Sequence, residues 1–295
     1  MRRFSAFFTL ALATGFSFAA ESTREIDFGV DINAEREHQV FDDSSADLDT
    51  ISLQPYVMVD NWSFSLDVPW QRATGEKFVN NNYAPRVEAV LDTFCPVYLA
   101  ATPLQQTLWK RNHPAYADTV DSACAGGTQT TQNVSGLGDI SAFAHYGLPL
   151  DNQGVWLASF GVGYKADNGN LDDGLSSGTQ DVKVETSLGA GFGKFSSTLL
   201  IGYDWVVGGD YQEFAQDYGY ASLDMSVRPS RWLVLGATWS YEQSYVEELD
   251  DITSLSAYLT LKPTDSLRFR VFYKDYLDVA TYPDHSLGGA VSYAF

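Results

Sequence analysis

Leu287-Gly288-Gly289-Ala290-Val291-Ser292-Tyr293-Ala294-Phe295 closes the chain. Leu287, Gly289, Val291, Tyr293 and Phe295 form an every-other-residue stripe that ends on an aromatic residue at the carboxyl terminus. Gly288, Ala290, Ser292 and Ala294 between them are small or mildly polar. Side chains in a strand alternate between its two faces, so this stretch predicts a strand with one oily and one small, wettable face.

The same period recurs through the chain and predicts about twelve strands. The first carries Ile26, Phe28, Val30 and Ile32 on its oily face, with Asp27, Gly29, Asp31, Asn33 and Glu35 on the other. The third sets Trp62, Phe64, Leu66, Val68 and Trp70 against Ser63, Ser65 and Asp67. The fourth runs from Asp139 to Leu148, and the eleventh sets Leu267, Phe269, Val271 and Tyr273 against Arg268, Arg270, Phe272 and Lys274. Connections alternate in length. Asp60-Asn61, Leu150 to Gly154, Gly191 to Lys194, Arg228 to Arg231 and Lys262 to Asp265 are short, and the connections between them are longer. Strands of about ten residues with alternating short and long connections are the pattern of an all-β transmembrane antiparallel barrel, with both termini on the short-turn, periplasmic side. A secreted β-sandwich shares the period but not the ordered loop lengths.

The front of the chain fits export. Met1-Arg2-Arg3 is basic, Phe4 to Ala13 is mostly apolar but too short to span a bilayer, and Ser17-Phe18-Ala19-Ala20 offers cleavage after Ala19 or Ala20. Residues 1–20 therefore read as a signal peptide and 21–295 as one domain. No later segment reaches the roughly 18 apolar residues of a membrane helix. The chain of 295 residues carries a net charge of −20, and loss of Arg2 and Arg3 with the signal lowers it further. Such a charge excludes nucleic acid as a partner.

A terminal strand of this kind resembles the closing strand of bacterial outer-membrane β-barrels. That resemblance implies that Tyr293 and Phe295 are read by the barrel assembly machinery, and that the surroundings are the outer-membrane lipid and lipopolysaccharide of a Gram-negative bacterium. A second resemblance rests on Ser135-Gly136-Leu137-Gly138-Asp139-Ile140-Ser141, Gly161-Val162-Gly163-Tyr164-Lys165 and Ser177-Gly178-Thr179-Gln180-Asp181-Val182. Between about Val134 and Val207 this succession resembles the transporter family of the phenol-degradation meta-pathway. It implies an outer-membrane channel or transporter passing small, often hydrophobic or aromatic molecules. Ala166-Asp167-Asn168-Gly169 departs from the Pro-x-Gly-Asp turn common in such sequences.

The longest connection, 71–136, is too long to be idle chain. Pro85 to Phe94 has a helical apolar face, and Thr102-Pro103-Leu104-Gln105 has the spacing of a helix start. Cys95 and Cys124 both lie here and are expected to pair as a disulfide in an oxidising compartment. The loop reads either as an inert external cap or as a constriction folded into the mouth.

No nucleophile motif surrounds any histidine. His145, on the inward face with Ser141, reads as a hydrogen-bonded wall residue, so the chain is expected to be no enzyme. No His/Cys spacing implies a metal site and nothing calls for a cofactor. The candidate functional residues are the charges expected to line the pore. Asp27, Asp31 and Glu35 lie on the first strand, Lys165, Lys183 and Glu185 on the fifth and sixth, and Arg268, Arg270 and Lys274 on the eleventh. Only small residues of the last strand separate the first group from the third, so long basic side chains can reach the acids. These charges brace the wall or set a transverse field for a small-molecule solute. A structural or adhesion barrel working through its external loops is the alternative function, and an outer-membrane enzyme a remote one.

Overall fold

The structure, a computed structural model, describes residues 26–41, 45–75, 132–151, 154–169, 175–209, 215–244, 251–277 and 283–295, with the single positions 106 and 212. The signal segment 1–20, Cys95 and Cys124 lie outside the described residues. The strands are β1 (Ile26–Val40), β2 (Ser45–Val59), β3 (Trp62–Gly75), β4 (Gln132–Leu137), β5 (Ser141–Pro149), β6 (Trp156–Lys165), β7 (Gln180–Phe192), β8 (Phe195–Gly208), β9 (Tyr218–Ser230), β10 (Leu233–Glu242), β11 (Ile252–Leu261), β12 (Leu267–Leu277) and β13 (His285–Ala294). All pairings are antiparallel, and the β2–β3 and β1–β13 contacts close the sheet. β4 and β5 both pair with β3 and are two parts of one stave, so the barrel has twelve staves.

The alternation of the sequence becomes inside and outside. Apolar side chains exposed to the surroundings cover the outer face, from Phe28 through Leu199 and Val271 to Val291. In water such a surface would be costly; in hydrocarbon it is the surface required, and a closed ladder leaves no backbone edge unpaired. Aromatic side chains stand at both rims. Trp62, Trp156, Phe192, Phe195, Trp232 and Tyr293 lie at the short-turn end, and Trp70, Tyr164, Trp205, Trp239 and Tyr273 lie toward the other. Along β8, Phe195 and Trp205 are ten steps apart. At about 3.3 Å per residue and a tilt of about 45° this is on the order of 23 Å, close to the thickness of a barrel's apolar band. The band ends in a charged row across three strands, where Arg36 pairs in register with Asp49 and Asp49 with Arg72. Arg36 also donates to Asp47 at 2.8 Å.

The short turns are two-residue hairpins where the sequence supplies the needed backbone. Asp60, between Val59 and Trp62, has φ of 54°, and Gly193, between Phe192 and Phe195, has φ of 64°. Asp and Gly are the residues that tolerate the left-handed region. The C-terminus is tied down at the same end, where the Phe295 amide donates to the Val30 carbonyl at 3.0 Å and its ring meets that of Tyr293 edge-on at 4.6 Å.

Two boundaries differ from the sequence reading. The strands flanking the long connection run past Gln71 and Gly136: β3 continues to Gly75, which faces Gln132 of β4. Gln132 to Leu137 rises beyond the apolar band, so it has no oily stripe to reveal it. The fourth stave is also broken rather than continuous from Asp139. Trp70 faces Leu137 but Asp67 faces Ser141, three steps against four. The extra residue is a β-bulge, and it reverses the inside–outside phase between β4 and β5. Pro69, which has no amide to donate, sits opposite the bulge and accepts from the Gly138 amide at 2.9 Å.

Candidate functional site

The inner faces of the staves enclose a cavity of about 570 Å³ whose lining is dominated by charged and hydroxyl side chains. Four groupings organise it.

The first lies on β1, β13 and β12. The register sets Glu35 against Ala290 and Ala290 against Arg270, with Asn33, Ser292 and Arg268 one level nearer the short turns. Small side chains on β13 leave the charges of β1 and β12 facing each other across it. Asp31 lies within electrostatic reach of Arg268, and Glu35 within reach of Arg270 and Lys274. The Arg270 guanidinium lies over the Tyr258 ring at 3.9 Å, and Lys274 over Tyr276 at 4.3 Å. The Tyr258 hydroxyl donates to Asp224 at 2.9 Å.

The second is a relay across β5, β7 and β9. His145 Nε2 and Glu185 Oε1 are 2.9 Å apart, and the Tyr220 hydroxyl donates to Glu185 Oε2 at 2.9 Å. A carboxylate only accepts, so His145 Nε2 carries the hydrogen. Lys183 lies over the Tyr220 ring at 4.8 Å and 3.4 Å from Asp204. The Tyr220 ring lies flat because its neighbour on β8 is Gly202: a Cβ there would fall 2.0 Å from the ring. Gly236 does the same for Tyr258, at 2.2 Å. Glycine opposite an inward ring keeps the cavity open.

The third is a buried polar knot at the bulge. Asp139, fully buried, accepts at Oδ1 from the amides of Asn168 (3.2 Å) and Gly169 (2.9 Å) and from the Ser176 hydroxyl (2.8 Å). At Oδ2 it accepts from the Ser177 amide (3.0 Å) and hydroxyl (3.1 Å). Lys165 pairs with Asp181 and donates to Thr179 at 3.1 Å. β4 pairs only with β3 among the described residues, and the knot with buried Leu175 fills the wall beside it. The three sequence stretches that carry the family resemblance meet here.

The fourth lies at the short-turn end, where Lys262, Arg268 and Arg228 crowd together. Lys262 follows β11, outside the spanning strands. Burial pushes its ammonium down to about 8, and Arg268 and Arg228 push the same way.

Of the residues singled out from sequence, Glu35, Lys165, Lys183, Glu185, Arg268, Arg270 and Lys274 line the cavity. Asp31 is buried in the wall, and Asp27 lies where β1 extends past the end of β13, opposite Met58. Glu37, Asp67, Asp204, Glu242 and Tyr220 also line the cavity; the sequence sets Asp67 on the inner face of its strand, but none of the five is among the pore residues named from sequence. Strand parity alone would have found them. Lys262 sits in a turn, where parity says nothing, and Asp139 belongs to a bulge, where parity misleads.

No protein-family model matches the sequence, and no curated protein matches it. Solved structures do. An outer-membrane channel from Pseudomonas putida F1 superimposes with a TM-score of 0.59 at 13% identity, over 95% of this chain and 100% of that one. The KdgM porin in complex with disordered oligogalacturonate gives 0.49 at 10% identity, over 90% and 99% of the two chains. The CymD monoaromatic hydrocarbon channel gives 0.41 at 9%, over 92% and 88%. The first of these superpositions shows the fold, the closed antiparallel barrel of an outer-membrane channel, here of twelve staves.

Proposed function

We propose that the protein is an outer-membrane channel through which small solutes pass passively. One observation carries this reading: the polar cavity of about 570 Å³ inside a barrel whose outer face is apolar. A barrel serving only as a scaffold has no need of inward rings laid flat against glycines, which hold the interior open. The closed wall excludes, and selectivity falls to the charges lining the passage. Short turns face the periplasm and long connections the outside. The signal is cleaved after Ala19 or Ala20, Phe295 and Tyr293 serve assembly, and Cys95 pairs with Cys124 in the external loop. Lipopolysaccharide surrounds the charged row Arg36, Asp49 and Arg72. Liposomes containing the refolded protein are expected to swell in isotonic solutions of small neutral sugars faster than empty liposomes. Equal rates would contradict the channel reading.

Lys262 gives the passage a pH dependence. Below about pH 8 it adds a third positive charge beside Arg228 and Arg268; above, that charge is lost. Removing a cation from the lumen weakens anion entry, so the reversal potential in a salt gradient should move toward cation selectivity between pH 7 and 9. Lys262→Gln should show the high-pH selectivity throughout. A parent channel with pH-independent selectivity would contradict this role.

A further inference from the structure

Arg270 stands apart from Lys165, Lys183, Arg268 and Lys274, the other cations on the inner faces of the strands that line the cavity. Lys165 and Lys183 have carboxylate partners, and Arg268 and Lys274 have contacts of their own. Among the described residues the Arg270 guanidinium has no hydrogen bond and no ion pair within 4 Å, and its Nε is buried without an acceptor. What fixes it is stacking. Tyr258 lies against Gly236 on one side and carries the guanidinium on its face at 3.9 Å. The Tyr258 hydroxyl is in turn held by Asp224. A guanidinium positioned in this way, with its fork unused, is prepared for a carboxylate.

Phe272 is the next residue on the same face of β12, about 7 Å further along the strand. Its ring is without a ring partner among the described residues, and it lies over Gly288, where a Cβ would fall 2.2 Å from the ring. Both residues line the cavity. Glu35 faces Arg270 across Ala290 and is not paired with it within 4 Å. We propose that Arg270 and Phe272 form a binding station for small carboxylates with a flat apolar body, arene carboxylates above all, and that Glu35 keeps the binding weak by competing for Arg270. A passage needs a site that holds a solute briefly and lets it go. This rests on the lumen being reached by solutes, but binding is read separately from conduction.

The probes are benzoate and acetate, and the readout is broadening of their proton NMR lines by the full-length protein refolded in detergent micelles. Benzoate should bind more tightly than acetate. Arg270→Gln should weaken both about tenfold, and Phe272→Ala should remove the advantage of benzoate. Glu35→Gln should tighten both several-fold and serves as the independent arm should Arg270→Gln fail to fold. Binding that is unchanged by Arg270→Gln, or weakened by Glu35→Gln, would overturn the proposal. A barrel that binds benzoate in micelles yet leaves liposomes unswollen would refute the channel and keep the station. Swelling without benzoate binding would do the reverse.

Discussion

Asp139→Ala should lower the unfolding free energy of the micelle-refolded barrel by about 3–5 kcal/mol, seen as a fall in its urea midpoint. The change leaves three backbone amides, those of Asn168, Gly169 and Ser177, without their acceptor, while the Ser176 hydroxyl keeps Asp167 and the Ser177 hydroxyl keeps Thr179. A buried donor left unpaired costs about 1–3 kcal/mol, and partial relaxation toward water reduces the sum. Asp139→Asn should be milder but still destabilising by about 2 kcal/mol, because an amide nitrogen would face donors on one side. A serine away from the knot gives the comparison: Ser266→Ala, half-buried in the turn before β12, should be near neutral. A midpoint for Asp139→Ala equal to that of the parent would mean that the knot does not hold the wall.

Gly202→Val is expected to cost about 1–3 kcal/mol and to reduce ion flow. Its Cβ would fall 2.0 Å from the Tyr220 ring, which cannot bend and must swing into the cavity. That motion breaks the Tyr220–Glu185 hydrogen bond and leaves Glu185 with His145 alone. Gly189→Ala is the control, since a Cβ there meets nothing nearer than 3.7 Å. Replacing Tyr220 by Ala in the Gly202→Val background should recover much of the loss, and the coupling between the two sites measures the clash. Full stability and unreduced conductance in Gly202→Val would show that the ring does not lie where the lumen account needs it.

Most of the fold is legible in the sequence, because a membrane barrel makes the strictest use of strand period. Lipid enforces apolar side chains at every outward position, as in Trp62 to Trp70 or Leu267 to Tyr273, and tight turns need residues such as Asp60 and Gly193. The charges of β1 and β12 are legible too, since Ser292, Ala290 and Gly288 between them are visibly small. Two things resist such reading. The bulge at Gly138 to Ile140 reverses the phase of the alternation, so Asp139 reads as the start of a strand when it is the centre of a knot. Several partners of Lys165 and Asp139 come from residues 176–179, brought back by a connection whose path no local pattern dictates. The motif Ser177-Gly178-Thr179 marks the place, but its work becomes visible only once Asp139 and Lys165 are seen against it. Contact between distant parts of a chain is what local periodicity leaves undetermined.

The central claim is an open, charge-lined passage, and single-channel recording of the refolded protein in a planar bilayer tests it most directly. In a salt gradient the parent should show discrete conductance steps with a measurable reversal potential. Replacing Arg268 and Arg270 together should move that potential toward cations, while Glu35→Gln should move it toward anions. Bilayers that stay closed despite inserted, folded barrel, or steps whose selectivity is the same in the parent and both variants, would contradict the account.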